Sequence, residues 1–220
     1  MIDINVTKFP IVIVSGFRTG STALGKYLSN RYNIHFFSEP FQNKNVHIYD
    51  EYKKNYISKI LKNEKKFVLK FMPCQISDFN NYSDMLLEEN YKIRLSRDNK
   101  VDQIASLYVA EKRNIFFKLK NDIVKSFTVP VDLKFLSLIV QIVLRDDYLL
   151  RELPYKYDLT LSYENLGFIE GTQHVLSDQP ENMEEIKEEI RKILRWRWSS
   201  LKEHLVQSER FELSTPTTSR

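Results

Sequence analysis

Eight consecutive residues carry groups suited to holding an anion: Ser15-Gly16-Phe17-Arg18-Thr19-Gly20-Ser21-Thr22. Arg18 brings a permanent charge and a planar fork of donors that matches phosphate or sulfate oxygens. Ser21 and Thr22 add hydroxyl donors. Gly16 and Gly20 let the backbone turn tightly and come close to a ligand. The run is not the nucleotide-triphosphate loop GxxxxGK[ST]. Only three residues separate Gly16 from Gly20, and Ser21 stands where the lysine would be. By its residues alone the run is either an anion site or a plain β–α turn with Arg18 in solvent.

An anion site of this kind needs a strand to deliver the loop and a helix to point its free N–H groups at the ligand. Both are legible. Ile11-Val12-Ile13-Val14 is a β-branched run of the sort buried on both faces of a parallel sheet. Thr22 to Asn30 reads as a helix, with Leu24, Tyr27 and Leu28 on one side. Further strands are expected at Ile34 to Phe37, Phe67 to Met72, Lys92 to Ser96 and Leu159 to Tyr163. Helices are expected at Lys100 to Lys112, at Asp132 to Leu153 (one helix or a pair) and at Glu181 to Val206. Strands alternating with helices imply an α/β fold, three-layered, with a mostly parallel central sheet. The ligand site then belongs at the carboxyl ends of the strands.

Composition bounds the rest. A chain of 220 residues suits one domain, expected over 1–207, with the polar stretch 208–220 as a flexible tail. The formal net charge of +4 includes no basic block, so it suits a polyanionic ligand without requiring one. Cys74 is the only cysteine, so no intrachain disulfide can form, and a reducing, cytoplasmic setting is expected. The four histidines His35, His47, His174 and His204 lack the paired spacing of a zinc site, and no metal is expected. No apolar run is long enough to span a bilayer. Arg191 to Trp198 interleaves cations and tryptophans. Glutamates precede them on the same helix, which fits the helix dipole. Packed tryptophans flanked by arginines are expected there, not nucleic-acid binding.

With these residues in view, SGFRTGSTALGKYL resembles the 5′-phosphosulfate loop of sulfotransferases, the (R/K)-(S/T)-G-(S/T)-T pattern, closest to the bacterial Stf-type and Golgi-type members. The resemblance spans roughly Ile11 to Ala110. It implies a phosphate-loop-like fold and 3′-phosphoadenosine-5′-phosphosulfate (PAPS) as co-substrate. Arg18, Thr19, Gly20, Ser21 and Thr22 would wrap the sulfate-bearing 5′-phosphate, and Arg18 would also steady charge on the transferring group. The resemblance further implies a 3′-phosphate clasp of Arg97 and Ser106. The family's usual spacing would put that arginine at position 98, where Asp98 stands, so Arg94 is held in reserve. Glu39, in Phe36-Phe37-Ser38-Glu39-Pro40-Phe41, matches the glutamate that related enzymes use as catalytic base. Tyr163-Glu164-Asn165-Leu166 echoes a late family segment and is read as structural support. Lys70 sits at a strand end facing the same crevice.

The expected activity is sulfuryl transfer from PAPS to a hydroxyl or amine of a carbohydrate, lipid or small metabolite. Two alternatives stand beside it: a nucleotide or small-molecule kinase of the phosphate-loop class, and an inactive nucleotide-binding relative that acts as an interaction protein. The acceptor and the oligomeric state are not written in the sequence.

Overall fold

The computed structural model describes residues 4–38, 66–73, 89–114, 126–153, 155–167, 169 and 179–196. β1 (Ile11–Ser15) is buried at every position. Its Ile and Val side chains fit a pleated surface covered on both sides. β1 is followed by α1 (Ser21–Tyr32) and β2 (His35–Phe37). Next come β3 (Phe67–Phe71), β4 (Tyr91–Ser96) and α2 (Lys100–Arg113). The series ends with α3 (Leu133–Glu152), β5 (Leu159–Ser162), a 3-10 turn over Tyr163–Leu166 and a helical run over 183–196.

The strands lie in the order β2-β3-β1-β4-β5, and every pairing is parallel. The pleat sends alternate residues of β1 to opposite faces. Ile11 and Ile13 pack with Val68, Ile93 and Leu95 against Leu24 and Leu28 of α1. Val12 and Val14 pack on the other face with Leu69, Phe71 and Leu150 of α3. Helices therefore cover both faces, which makes three layers. A third cluster joins Ile104 and Tyr108 of α2, Leu136 and Val140 of α3, and Ile186 and Ile190 of the last helical run. The Tyr108 hydroxyl inside it donates to the Pro130 carbonyl at 2.7 Å and accepts from the Asp132 amide at 2.8 Å. Its buried polar atom is thus satisfied.

The α/β class and the parallel sheet agree with the sequence. The stretch expected as a helix or helix pair is one helix, capped where the Asp132 carboxylate accepts from the Phe135 amide at 3.1 Å. Trp196 departs from expectation, because it is 70% exposed. Its helix packs through Ile186, Ile190, Ile193 and Leu194, and Trp196 falls off that stripe. Trp198 and the expected tail at 208–220 lie outside the described residues.

A Cβ on Gly25 would stand 2.2 Å from the Phe36 ring. Gly25→Ala gains about 1 kcal/mol of helix propensity but overpacks the α1–β2 contact by about 1–3 kcal/mol. A net loss of stability is expected in urea unfolding. Asp158 accepts from the Lys92 amide at 2.8 Å and pairs with Lys8 at 3.0 Å. Burial pushes its carboxyl up, but the Lys92 amide and the Lys8 ammonium outweigh that and hold it below the ordinary 3.8. Its stabilisation is full above the ordinary aspartate range and is lost as pH falls through the lowered folded-state value. Asp158→Asn should therefore be less stable than wild type at neutral pH, with the gap closing in acid, as read from melting temperature against pH.

Candidate functional site

The loop between β1 and α1 leaves the carboxyl end of the central strand of the sheet. Thr19 is buried, and its hydroxyl donates to the Gly16 carbonyl at 3.1 Å, closing the turn. Gly20 takes φ +78 as the residue that begins α1, a conformation that favours glycine. A side chain there would also collide with Tyr163, whose ring lies 2.8 Å from an ideal Cβ. Among the described residues no side chain caps the N-terminus of α1, and no acidic residue lies in its first turn. Its first amides and positive dipole end therefore face the loop.

Arg18 also has a positive φ, 55°, which is uncommon for a residue with a Cβ. Three contacts from other elements hold this stretch. The Arg18 Nε donates to Ser106 Oγ on α2 at 2.9 Å. Gln103, one turn earlier on the same helix, donates to the Phe17 carbonyl at 2.7 Å. Arg97, just past β4, donates to the Arg18 carbonyl at 3.3 Å. From the other side Lys70, buried at the end of β3, donates to Thr22 Oγ1 at 3.4 Å.

Arg97 is itself 4% exposed. Its guanidinium stacks over the Tyr163 ring at 4.4 Å, a cation–π contact. Its Nε has no hydrogen-bond partner among the described residues. The chain just after it is pinned. The Asp98 and Asn99 amides both donate to the Glu164 carboxylate at 3.1 Å. Lys100 donates to the Arg97 carbonyl at 2.6 Å and pairs with Asp147 at 2.7 Å.

Burial lowers the Arg18 pKa, and the neighbouring positive charge of Arg97 lowers it further. Burial likewise lowers Arg97, with Tyr163, Asp102 and Glu164 acting against it. Two cations thus share a poorly solvated space beside an uncapped helix start. An arriving anion would offset both the desolvation and the mutual repulsion.

The structure brings together Arg18, Thr19, Gly20, Ser21 and Thr22 with Arg97 and Ser106. It separates Arg94 from them. Arg94 pairs in register with Val14 and bears on Tyr157, so it belongs to the α3 face. The Tyr157 hydroxyl there is pushed up to about 12, by burial and against the pull of Arg94. Asp98 is exposed, and its amide turns toward Glu164. At this strand end Arg97 is the buried guanidinium and Asp98 is exposed. Glu39 lies outside the described residues.

Sequence reasoning missed Gln103, and it read Tyr163 and Glu164 as structural support only. Gln103 had one signal: it stands three residues before Ser106 and so shares its helix face. Tyr163 and Glu164 follow the last strand at the carboxyl edge of the sheet, the edge where the loop also lies.

No family model matches the chain, and no curated protein matches it. Among solved structures it is similar to a retinol dehydratase crystallised in complex with androsterone and the inactive cofactor PAP. The identity is 15% and the TM-score 0.37, over 84% of this chain and 62% of that one. The chain thus spans less than two thirds of that protein's length. Among the described residues no cluster of His, Cys, Asp and Glu could hold a metal ion, and no helix is long and apolar enough to cross a membrane.

Gly20→Ala tests the loop geometry. The positive φ costs about 1–2 kcal/mol, and Tyr163 must also move away from beneath Arg97. Chemical unfolding should show a loss of about 1–3 kcal/mol.

Proposed function

We propose that this chain is a sulfotransferase that takes its sulfuryl group from PAPS. The observation that carries the reading is the meeting of Arg18, Ser106 and Arg97 at the uncapped start of α1. One anion at the loop would account for Arg18 and the α1 amides. It would leave the buried Arg97, whose Nε is unpartnered among the described residues, unexplained. A donor with two separate phosphate positions accounts for both. The residues present fit such a donor: hydroxyls and amides at the loop, and a buried guanidinium with a serine hydroxyl beside it.

Thr19 to Thr22 and Arg18 would hold the 5′-phosphosulfate end, with Lys70 adding charge from β3. Arg97 and Ser106 would hold the 3′-phosphate. When bound, the donor supplies an activated sulfuryl group. Arg18, the loop amides and Lys70 stabilise negative charge as the acceptor oxygen or nitrogen bonds to sulfur and the bond from sulfur to the 5′-phosphate oxygen breaks. These groups are in place before reaction, so little reorganisation is needed. Glu39 is proposed as the base that takes the acceptor's proton. The site recognises the donor through charge; the acceptor class expected is a hydroxyl or amine of a carbohydrate, lipid or small metabolite.

Titration with 3′-phosphoadenosine-5′-phosphate (PAP) and with magnesium ATP tests the reading. PAP should bind more tightly than ATP. Arg97→Ala should weaken PAP by about 10- to 100-fold, the range for hydrogen bonds to a charged group. Preference for ATP would favour the kinase, and binding of neither would favour an interaction protein. Glu39→Gln should keep PAP affinity while losing turnover.

A further inference from the structure

We infer that Glu164 is a positioning residue that sets the preference for a 3′-phosphorylated nucleotide. The inference rests on the reading of Arg97 above. Among the described residues Arg97 makes no hydrogen bond that by itself fixes where its fork points. The fork donates to a main-chain carbonyl at 3.3 Å, and its Nε is unpartnered among the described residues. Its aim is therefore set by the peptide that carries it and by the ring beneath it. Both come from one dipeptide. Tyr163 supplies the ring. Glu164 supplies two carboxylate oxygens, one to the Asp98 amide and one to the Asn99 amide. These two amides follow Arg97 directly in the chain, so they fix the peptide at the base of its side chain. Asn99 goes on to start α2, its side chain accepting from the Asp102 amide at 3.1 Å. The same clamp therefore also seats the helix that carries Ser106.

The Glu164 carboxylate meets each amide with a separate oxygen. A glutamine in its place offers one acceptor oxygen, and its NH2 would meet an N–H. Charge alone predicts the reverse effect. Removing a negative group near a phosphate site should tighten anion binding, because Glu164 and Arg97 interact electrostatically. The side chain of Glu164 is largely at the surface, so that term is screened. The two hydrogen bonds should decide the outcome.

The experiment measures PAP and adenosine 5′-monophosphate (AMP) affinity for wild type and Glu164→Gln by calorimetry, with melting curves as a folding control. Both nucleotides share the 5′-phosphate, and only PAP has the 3′-phosphate. The expected result is a fall of about three- to tenfold in the PAP-to-AMP affinity ratio, the range for one lost hydrogen bond, with AMP affinity little changed. A general loss of structure would lower both affinities together and leave the ratio intact, which would overturn the inference. So would a ratio that stays constant or rises in a well-folded variant. A wild type that binds PAP no better than AMP would overturn the 3′-phosphate reading itself, and the inference with it.

Discussion

Arg18 and Arg97 are held close together in a space that solvates neither well. Burial lowers both, and the charge of Arg97 raises the cost of keeping Arg18 charged. The fold tolerates this because many unrelated segments converge there. Ser106 and Gln103 reach in from α2, Lys70 from β3, and Tyr163 and Glu164 from the turn after β5. Such concentration of like charge is costly to stability unless something offsets it. The parallel sheet makes the convergence possible, because every strand delivers its following segment to the same edge. The uncapped start of α1 at that edge adds a further positive pole.

The α/β class was legible because it rests on local pattern. The β-branched run Ile11 to Val14 leaves little choice but a doubly covered strand, and it is buried throughout. The loop was legible because its glycines and hydroxyls are adjacent in sequence. Arg97 and Ser106 came into view only through a family resemblance, and the offset at Asp98 left their register open. The structure buries Arg97 and leaves Asp98 exposed.

The supporting residues were hidden for a physical reason. Glu164 meets Asp98 across 66 positions of chain, and Gln103 meets Phe17 across 86. No periodicity or motif encodes a hydrogen bond between a side chain and a distant main-chain atom. The exposure of Trp196 belongs to the same class. The apolar stripe of its helix was readable, but which residues fall off that stripe depended on the α2–α3 surface it meets.

Arg18 and Arg97 are proposed to serve two ends of one bisphosphate nucleotide. A crystal structure with PAP bound tests it most directly. The 5′-phosphate should lie against the amides of Thr19 to Thr22 and the 3′-phosphate within hydrogen-bond distance of Arg97 and Ser106. A nucleotide bound elsewhere, or one at the loop with its 3′-phosphate in solvent and Arg97 unmoved from Tyr163 and the Arg18 carbonyl, would contradict it.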